Sequence, residues 1–152
     1  MTRNLQIGDF APDFVLKDQH GEIINLTDFR GTAKVILYFY PKDDTPGCTI
    51  EACGFRDKYY EFKNAGAEVI GISSDNHSSH FKFASKYKLP FTLLSDPGAK
   101  VRRLYNVPVS FLFIPGRVTF IIDKNGIIRH IFNSQLNAIK HVEEAMKVLE
   151  SI

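Results

Sequence analysis

Cys48 and Cys53 are the only thiols in a chain of 152 residues, and four residues separate them. A thiolate is a strong nucleophile; a protonated thiol is not. The segment Tyr40-Pro41-Lys42-Asp43-Asp44-Thr45-Pro46-Gly47-Cys48 is polar, carries Pro46-Gly47, and follows the apolar run from Lys34 to Tyr40. This reads as a buried strand, a loop crossing its carboxyl end, and a helix with a cysteine in its first turn. Sites in open α/β sheets form at that edge. Free N–H groups and the positive end of the helix dipole favour an anion there. A thiol of ordinary pKa, about 8.5, is a few per cent ionised at pH 7, and one lowered to about 6 is roughly nine-tenths thiolate. The plainer reading of either cysteine is a small buried hydrophobe. The polar loop argues against it for Cys48; the mid-helix position leaves it open for Cys53.

Five residues of α-helix advance about 7.5 Å and turn about 140°, so the two α-carbons lie roughly 8–9 Å apart. A disulfide wants less than about 7 Å. Cys48 and Cys53 therefore cannot bond while the helix is intact. Pro46 and Gly47 supply a break point, and the spacing predicts a switch between a helical dithiol and a locally unwound disulfide. No staple is needed for stability: a chain of this length buries about two-thirds of its unfolded surface.

The elements that must position these residues follow from periodicity. Asp13 to Asp18 alternates and reads as a strand, turned at Gln19-His20-Gly21, with Glu22 to Leu26 as its hairpin partner. Lys34 to Tyr40 suits a strand buried on both faces. One helix is expected from Thr45–Cys48 to about Asn64, with Phe55, Tyr59 and Phe62 on one face, and Gly66 as its stop. Ala67 to Ser73 is a strand. Asp75 or Asn76 caps a helix through Tyr87, with Phe81 and Ala84 inward. Phe91 to Leu94 is a strand and Gly98 to Tyr105 a short helix. Arg117–Asp123 and Ile127–Phe132 flank Asn125-Gly126, a hairpin signal. The last helix carries Ile139, Val142, Met146 and Leu149 on one face. This order predicts one α/β domain over residues 1–152: a mixed central sheet flanked by helices, an N-terminal β-hairpin, and a thioredoxin-like core.

The motif Pro41-x-x-x-Thr45-x-x-Cys48 is similar to the active-site signature of peroxiredoxins. The longer string from Tyr40 to Thr49, with Glu51-Ala52-Cys53 and Phe55-Arg56-Asp57, resembles the bacterioferritin-comigratory protein (PrxQ) subfamily. The likeness continues through Gly66 to Ser73, Leu89 to Asp96 and Pro115-Gly116-Arg117, and is closest to the plant-plastid and cyanobacterial branch. The resemblance implies a peroxidase for hydrogen peroxide and organic hydroperoxides. Cys48 matches the peroxidatic cysteine, Cys53 the resolving cysteine, Thr45 the threonine that holds the peroxide, Pro41 the proline that shields the thiolate, and Arg117 the arginine that completes the pocket. Cys48 would become a sulfenic acid, condense with Cys53 into an intramolecular disulfide, and be reduced by a thioredoxin-type dithiol. No metal or organic cofactor is implied. With both cysteines in one chain, a monomer is expected. Glu51 and Arg56 would either tune the site or form a structural ion pair. Phe111, Leu112 and Phe113, apolar for a loop, would line the pocket mouth or simply pack.

Other classes are disfavoured. The net charge of +2 gives no reason to expect nucleic acid or an anionic membrane. The longest apolar runs, Val35 to Tyr40 and Val109 to Ile114, fall far short of the ~20 residues a spanning helix needs. Met1 to Pro12 lacks a basic start and apolar core, so no secretory signal is expected. A bacterial or cyanobacterial cytoplasm, or a plastid after removal of a transit peptide, fits. A copper-chaperone module on this fold would need Cys-x-x-x-Cys and a distal histidine. A redox-regulated holdase would use the helix switch itself as output. His77 and His80 read as surface residues, and His20, His130 and His141 as isolated. Lys82, Lys86, Lys88, Lys100, Arg102 and Arg103 read as a solvated face.

Overall fold

The computed structural model describes residues 4–110 and 114–152. Seven strands form one mixed sheet in the order β2-β1-β5-β4-β3-β8-β9. The strands are β1 (Val15–Asp18), β2 (Ile23–Asn25), β3 (Lys34–Phe39), β4 (Ala67–Ser73), β5 (Thr92–Ser95), β8 (Val118–Ile122) and β9 (Ile128–Asn133). β3, β4 and β5 run parallel, while β1 and β8 join them antiparallel. A separate ladder pairs β6 (Val109–Ser110) with β7 (Ile114–Pro115). The expected N-terminal hairpin is β1–β2, and the Asn125-Gly126 turn joins β8 to β9. Phe111, Leu112 and Phe113, expected at the pocket mouth or in packing, lie outside the described residues.

Alternation along β3 divides the core. Ile36 and Tyr38 face a cluster with Phe91, which leads into β5, and with Phe55, Phe62, Phe83 and Val142, supplied by four helices. Those helices are α1 (Pro46–Asp57), α2 (Tyr59–Asn64), α3 (His77–Tyr87) and α5 (Ala138–Leu149). Val35, Leu37 and Phe39 face the other cluster, with Phe14, Ile70, Tyr105 and Phe120, on the side of α4 (Lys100–Leu104).

Four expectations are corrected. The single helix to Asn64 breaks at Lys58, whose φ of −102° and ψ of 7° leave helical values, so that α2 starts afresh. No Pro or Gly marks the break; the segment after it is held by Phe62, fully buried with its ring 5.9 Å from Phe55. On α3 the inward residues are His80, Phe83 and Ala84, while Phe81 is 49% exposed. On α5 they are Ala138, His141, Val142, Ala145 and Leu149, while Ile139 lies against Gly54 of α1 and stays 43% exposed. The helix expected over Gly98–Tyr105 is a 3₁₀ turn, Pro97–Ala99, followed by the five-residue α4.

One end of the sheet collects the interesting residues. The register pairs Phe39 with Val118, which sets Arg117 beside Tyr40 just past the last pair. It pairs Phe39 with Ile72 and Ser73 with Ser95, which brings Asp75 and Asp96 to the same end.

Candidate active site

α1 starts where the sequence predicts. Thr45 is the N-cap residue in extended conformation, and Pro46 occupies the first helical position, where its missing N–H costs nothing. The Thr45 hydroxyl does not cap the helix; it donates to the Lys42 carbonyl at 2.9 Å, so it looks back into the loop. Cys48 sits in the first turn, 1% exposed. Cys53 lies further along α1, half-buried, and both thiols are free. The helix between them is continuous, as the distance argument requires.

Arg117 reaches this turn from the far strand. Its Nη1 donates to Glu51 Oε1 at 2.7 Å and its Nε to the Gln135 carbonyl at 3.1 Å. A Cβ at Gly47 would lie 2.9 Å from Arg117 Nη2. Glycine next to Cys48 is therefore what admits the guanidinium. Burial works against the charge on Arg117, but Glu51 and Cys48, both anionic where an arginine would titrate, outweigh it and hold its pKa above the ordinary value.

Glu51 is fully buried on α1. Burial pushes its carboxyl up from 4.5 to about 8, against the pull of Arg117. Its two oxygens meet different surroundings. Oε1 takes the guanidinium; Oε2 has no hydrogen-bond partner and lies 3.6 Å from His141 Nδ1. His141 is buried as well. Its Nε2 faces the Ser134 carbonyl at 2.8 Å, so it carries the ring proton, and Nδ1 accepts from the Thr119 hydroxyl at 2.8 Å. Burial lowers the His141 pKa to about 4, so the ring is neutral at pH 7. Burial therefore works against the Glu51 charge that the adjoining Arg117 guanidinium favours.

A second guanidinium lies at the site. Arg102, read from sequence as part of a solvated face, is 4% exposed. Its Nη1 donates to the Gly116 carbonyl and its Nη2 to the Tyr40 carbonyl, both at 2.7 Å. Burial lowers its pKa, opposed by Asp96 and by Cys48. Arg102 thus ties the end of β3 to the residue before Arg117. Pro41 follows Tyr40 directly and is half-buried between that tie and the Thr45 loop.

The structure therefore gathers Pro41, Thr45, Cys48 and Arg117 at one sheet end, with Cys53 one helical segment away. Glu51 joins them through Arg117. Arg56 does not: it pairs with Asp57 and donates to the Tyr87 carbonyl. Three residues escaped the sequence reading: Arg102, His80 and His141. The two histidines carried a usable signal. His80, Phe83, Ala84 and Tyr87 recur at helical spacing, as do Ala138, His141, Val142, Ala145 and Leu149. Arg102 carried none, since its neighbours Lys100 and Arg103 are exposed.

Residues 7–131 match the AhpC/TSA family. Over 145 residues the chain is 55% identical to the chloroplastic peroxiredoxin Q of Arabidopsis thaliana, covering 95% of this chain and 67% of that protein. It is 54% identical to the chloroplastic peroxiredoxin Q of Sedum lineare, over 95% and 78% of the two chains. Among solved structures it is similar to peroxidoxin BcpB of Mycobacterium tuberculosis, at a TM-score of 0.91 and 34% identity, covering 98% and 99% of the two chains. A cysteine-to-serine mutant of Xylella fastidiosa PrxQ superposes with a TM-score of 0.90 at 28% identity, over 99% and 98%. The thioredoxin-like arrangement expected from the element order is the fold these proteins share with it.

Proposed function

The chain belongs to the AhpC/TSA family as a peroxiredoxin of the Q type, a thiol-dependent peroxidase, and from that premise we propose that Cys48 is its peroxidatic thiol and Cys53 its resolving thiol. The observation that carries this reading is Arg117. A residue 117 − 48 = 69 positions away places its guanidinium against Gly47, beside the first-turn cysteine.

The Cys48 thiolate attacks the terminal oxygen of ROOH. The O–O bond breaks as the S–O bond forms, giving Cys48–SOH and RO⁻, which takes a proton and leaves as ROH. Arg117 stabilises the thiolate and the negative charge that builds on the leaving oxygen. The Thr45 hydroxyl spends its own proton on the Lys42 carbonyl, so its lone pairs are free to accept the peroxide O–H. Pro41 offers no N–H and screens the sulfur from water. The first turns of α1 then unwind, and the Cys53 thiolate displaces hydroxide from the sulfenic acid to form the intramolecular disulfide. A thioredoxin-type dithiol reduces it by exchange, returning two thiols and leaving with its own disulfide.

Both reacting thiols lie in one chain and one helix, which supports a monomer as the working unit, a single domain carrying the whole cycle. The chloroplastic relatives support a plastid compartment. No helix of the described residues is long and apolar enough to cross a membrane. The test is stopped-flow oxidation by hydrogen peroxide, followed by thioredoxin-driven turnover. Cys48→Ser is expected to abolish both. Cys53→Ser is expected to keep the first oxidation and stop the disulfide. Oxidation of Cys48 no faster than that of free cysteine overturns the reading.

A further inference from the structure

Behind the Thr45 loop lies a buried polar knot. Asp43 is 8% exposed. Its Oδ1 accepts from the Tyr40 hydroxyl at 2.6 Å, and its Oδ2 from the Ser79 hydroxyl at 2.7 Å. The Asp43 N–H donates to Asp75 Oδ2 at 2.8 Å, an oxygen that also takes the Ser73 hydroxyl at 2.7 Å. His80, fully buried on α3, presents both ring nitrogens to acceptors: Nε2 lies 2.9 Å from the Leu94 carbonyl and Nδ1 lies 2.7 Å from Asp43 Oδ2.

The proton inventory follows from donors and acceptors. A carbonyl oxygen has nothing to donate, so Nε2 carries a proton. The proton shared by Nδ1 and Asp43 belongs to the ring, because imidazole is the stronger base and because a carboxylate that already accepts from the Tyr40 and Ser79 hydroxyls is favoured in its charged form. The titratable and charged groups around this pair are Tyr40 at the end of β3, whose hydroxyl is 3.4 Å from Nδ1, Asp75 after β4, and Asp44, Lys82 and Lys86, which line the cleft over Asp43. Oxygens of Asp43 and Asp75 and a nitrogen of His80 lie within 4.8 Å of one another, a spacing that would suit a metal ion. The hydrogen bonds named above already occupy them.

The knot has a direct line to the reacting site. Lys42 precedes Asp43, and the Lys42 carbonyl is the acceptor that orients the Thr45 hydroxyl. We propose that His80, as a buried imidazolium, is a positioning residue for the peroxidase reaction: it fixes Asp43, and through Asp43 the Lys42 carbonyl that aims the Thr45 lone pairs at the peroxide. The proposal rests on Cys48 being the peroxidatic thiol. The loop before α1 is pinned at Asp43 and again at Asp44, which accepts from Lys86 Nζ and the Tyr87 hydroxyl, both at 2.8 Å.

Ring-nitrogen NMR tests the charge state directly. The unaltered chain and Cys48→Ser are both expected to show two protonated nitrogens on His80 at pH 7; one protonated and one bare nitrogen overturns the proposal. His80→Gln is expected to slow Cys48 oxidation about tenfold through misplacement of the Thr45 hydroxyl, with faster amide exchange at residues 42–45. Pairing it with Asp43→Asn replaces the ion pair by two amides and is expected to recover most of the rate. A folded His80→Gln chain that reacts at the wild-type rate overturns the proposal. If His80→Gln does not fold, the ring spectrum of the unaltered chain still decides. A wild-type Cys48 as slow as free cysteine overturns the peroxidatic reading instead, and the ring spectrum keeps the two failures apart.

Discussion

At Cys48 two buried arginines have different duties. Arg117 lies against Gly47 and interacts electrostatically with Cys48; Arg102 spends its donors on two carbonyls. Arg117→Met is expected to slow Cys48 oxidation by about a hundredfold, the scale of losing one preorganised charge donor, measured by stopped flow at saturating reduction. Arg102→Met is expected to cost stability as well, about 1–3 kcal/mol for each buried carbonyl left unpaired, read from urea unfolding. Glu51 adds a pH dependence. Its folded pKa of about 8 exceeds the ordinary 4.5. Between those values the native protein holds a proton that the unfolded chain has lost, so stability falls as pH rises through this window. Glu51→Gln removes that slope, and its midpoint in urea is expected to gain on the wild type steadily from pH 5 to pH 8. The meeting of Pro41, Thr45, Cys48 and Arg117 at one sheet end was legible from the motif around them. The two histidines show their burial only when their neighbours on the helix are counted with them, and Arg102, flanked by exposed Lys100 and Arg103, not even then.

At the scale of the helix, α1 has two differently anchored halves. The first turn hangs on Pro46, Gly47 and the Arg117 contact. The second packs on α5, where a Cβ at Gly54 would meet Ile139 at 2.8 Å and Val142 at 3.0 Å. Peroxide oxidation is expected to lower amide protection from Thr45 to about Phe55 and leave β3 unchanged, measured by hydrogen exchange on the dithiol and disulfide forms. Gly54→Ala overpacks the α1–α5 contact and is expected to cost about 1–3 kcal/mol, with Ile139 and Val142 showing the largest methyl shifts. Strand runs and turn residues gave the β elements their places from sequence alone. The break at Lys58 and the true inner face of α3 were not legible: the first follows from tertiary packing of Phe62, and the second from a histidine counted as polar.

The whole molecule separates chemistry from scaffold along the strands. The site occupies the end where β3 finishes and β8 begins, and the Asn125-Gly126 turn closes the opposite end of β8. Gly126 has a φ of +81° and packs against Arg30, so Gly126→Ala is expected to destabilise the fold by about 1–3 kcal/mol while folded molecules keep the wild-type rate of Cys48 oxidation. The bracing by Arg102 has a kinetic meaning. Both carbonyls it holds belong to backbone outside α1, so in the proposed cycle the strand ends that carry Arg117 stay braced while the first turns of α1, Glu51 among them, come apart. The mould outlasts the piece cast in it. Once the proposed disulfide is reduced, the released turns would have only to wind back against a standing template, a step of about 0.1–1 μs for a short helix. In the proposed cycle, rewinding this fast leaves the waiting time between turnovers to the reduction of the disulfide.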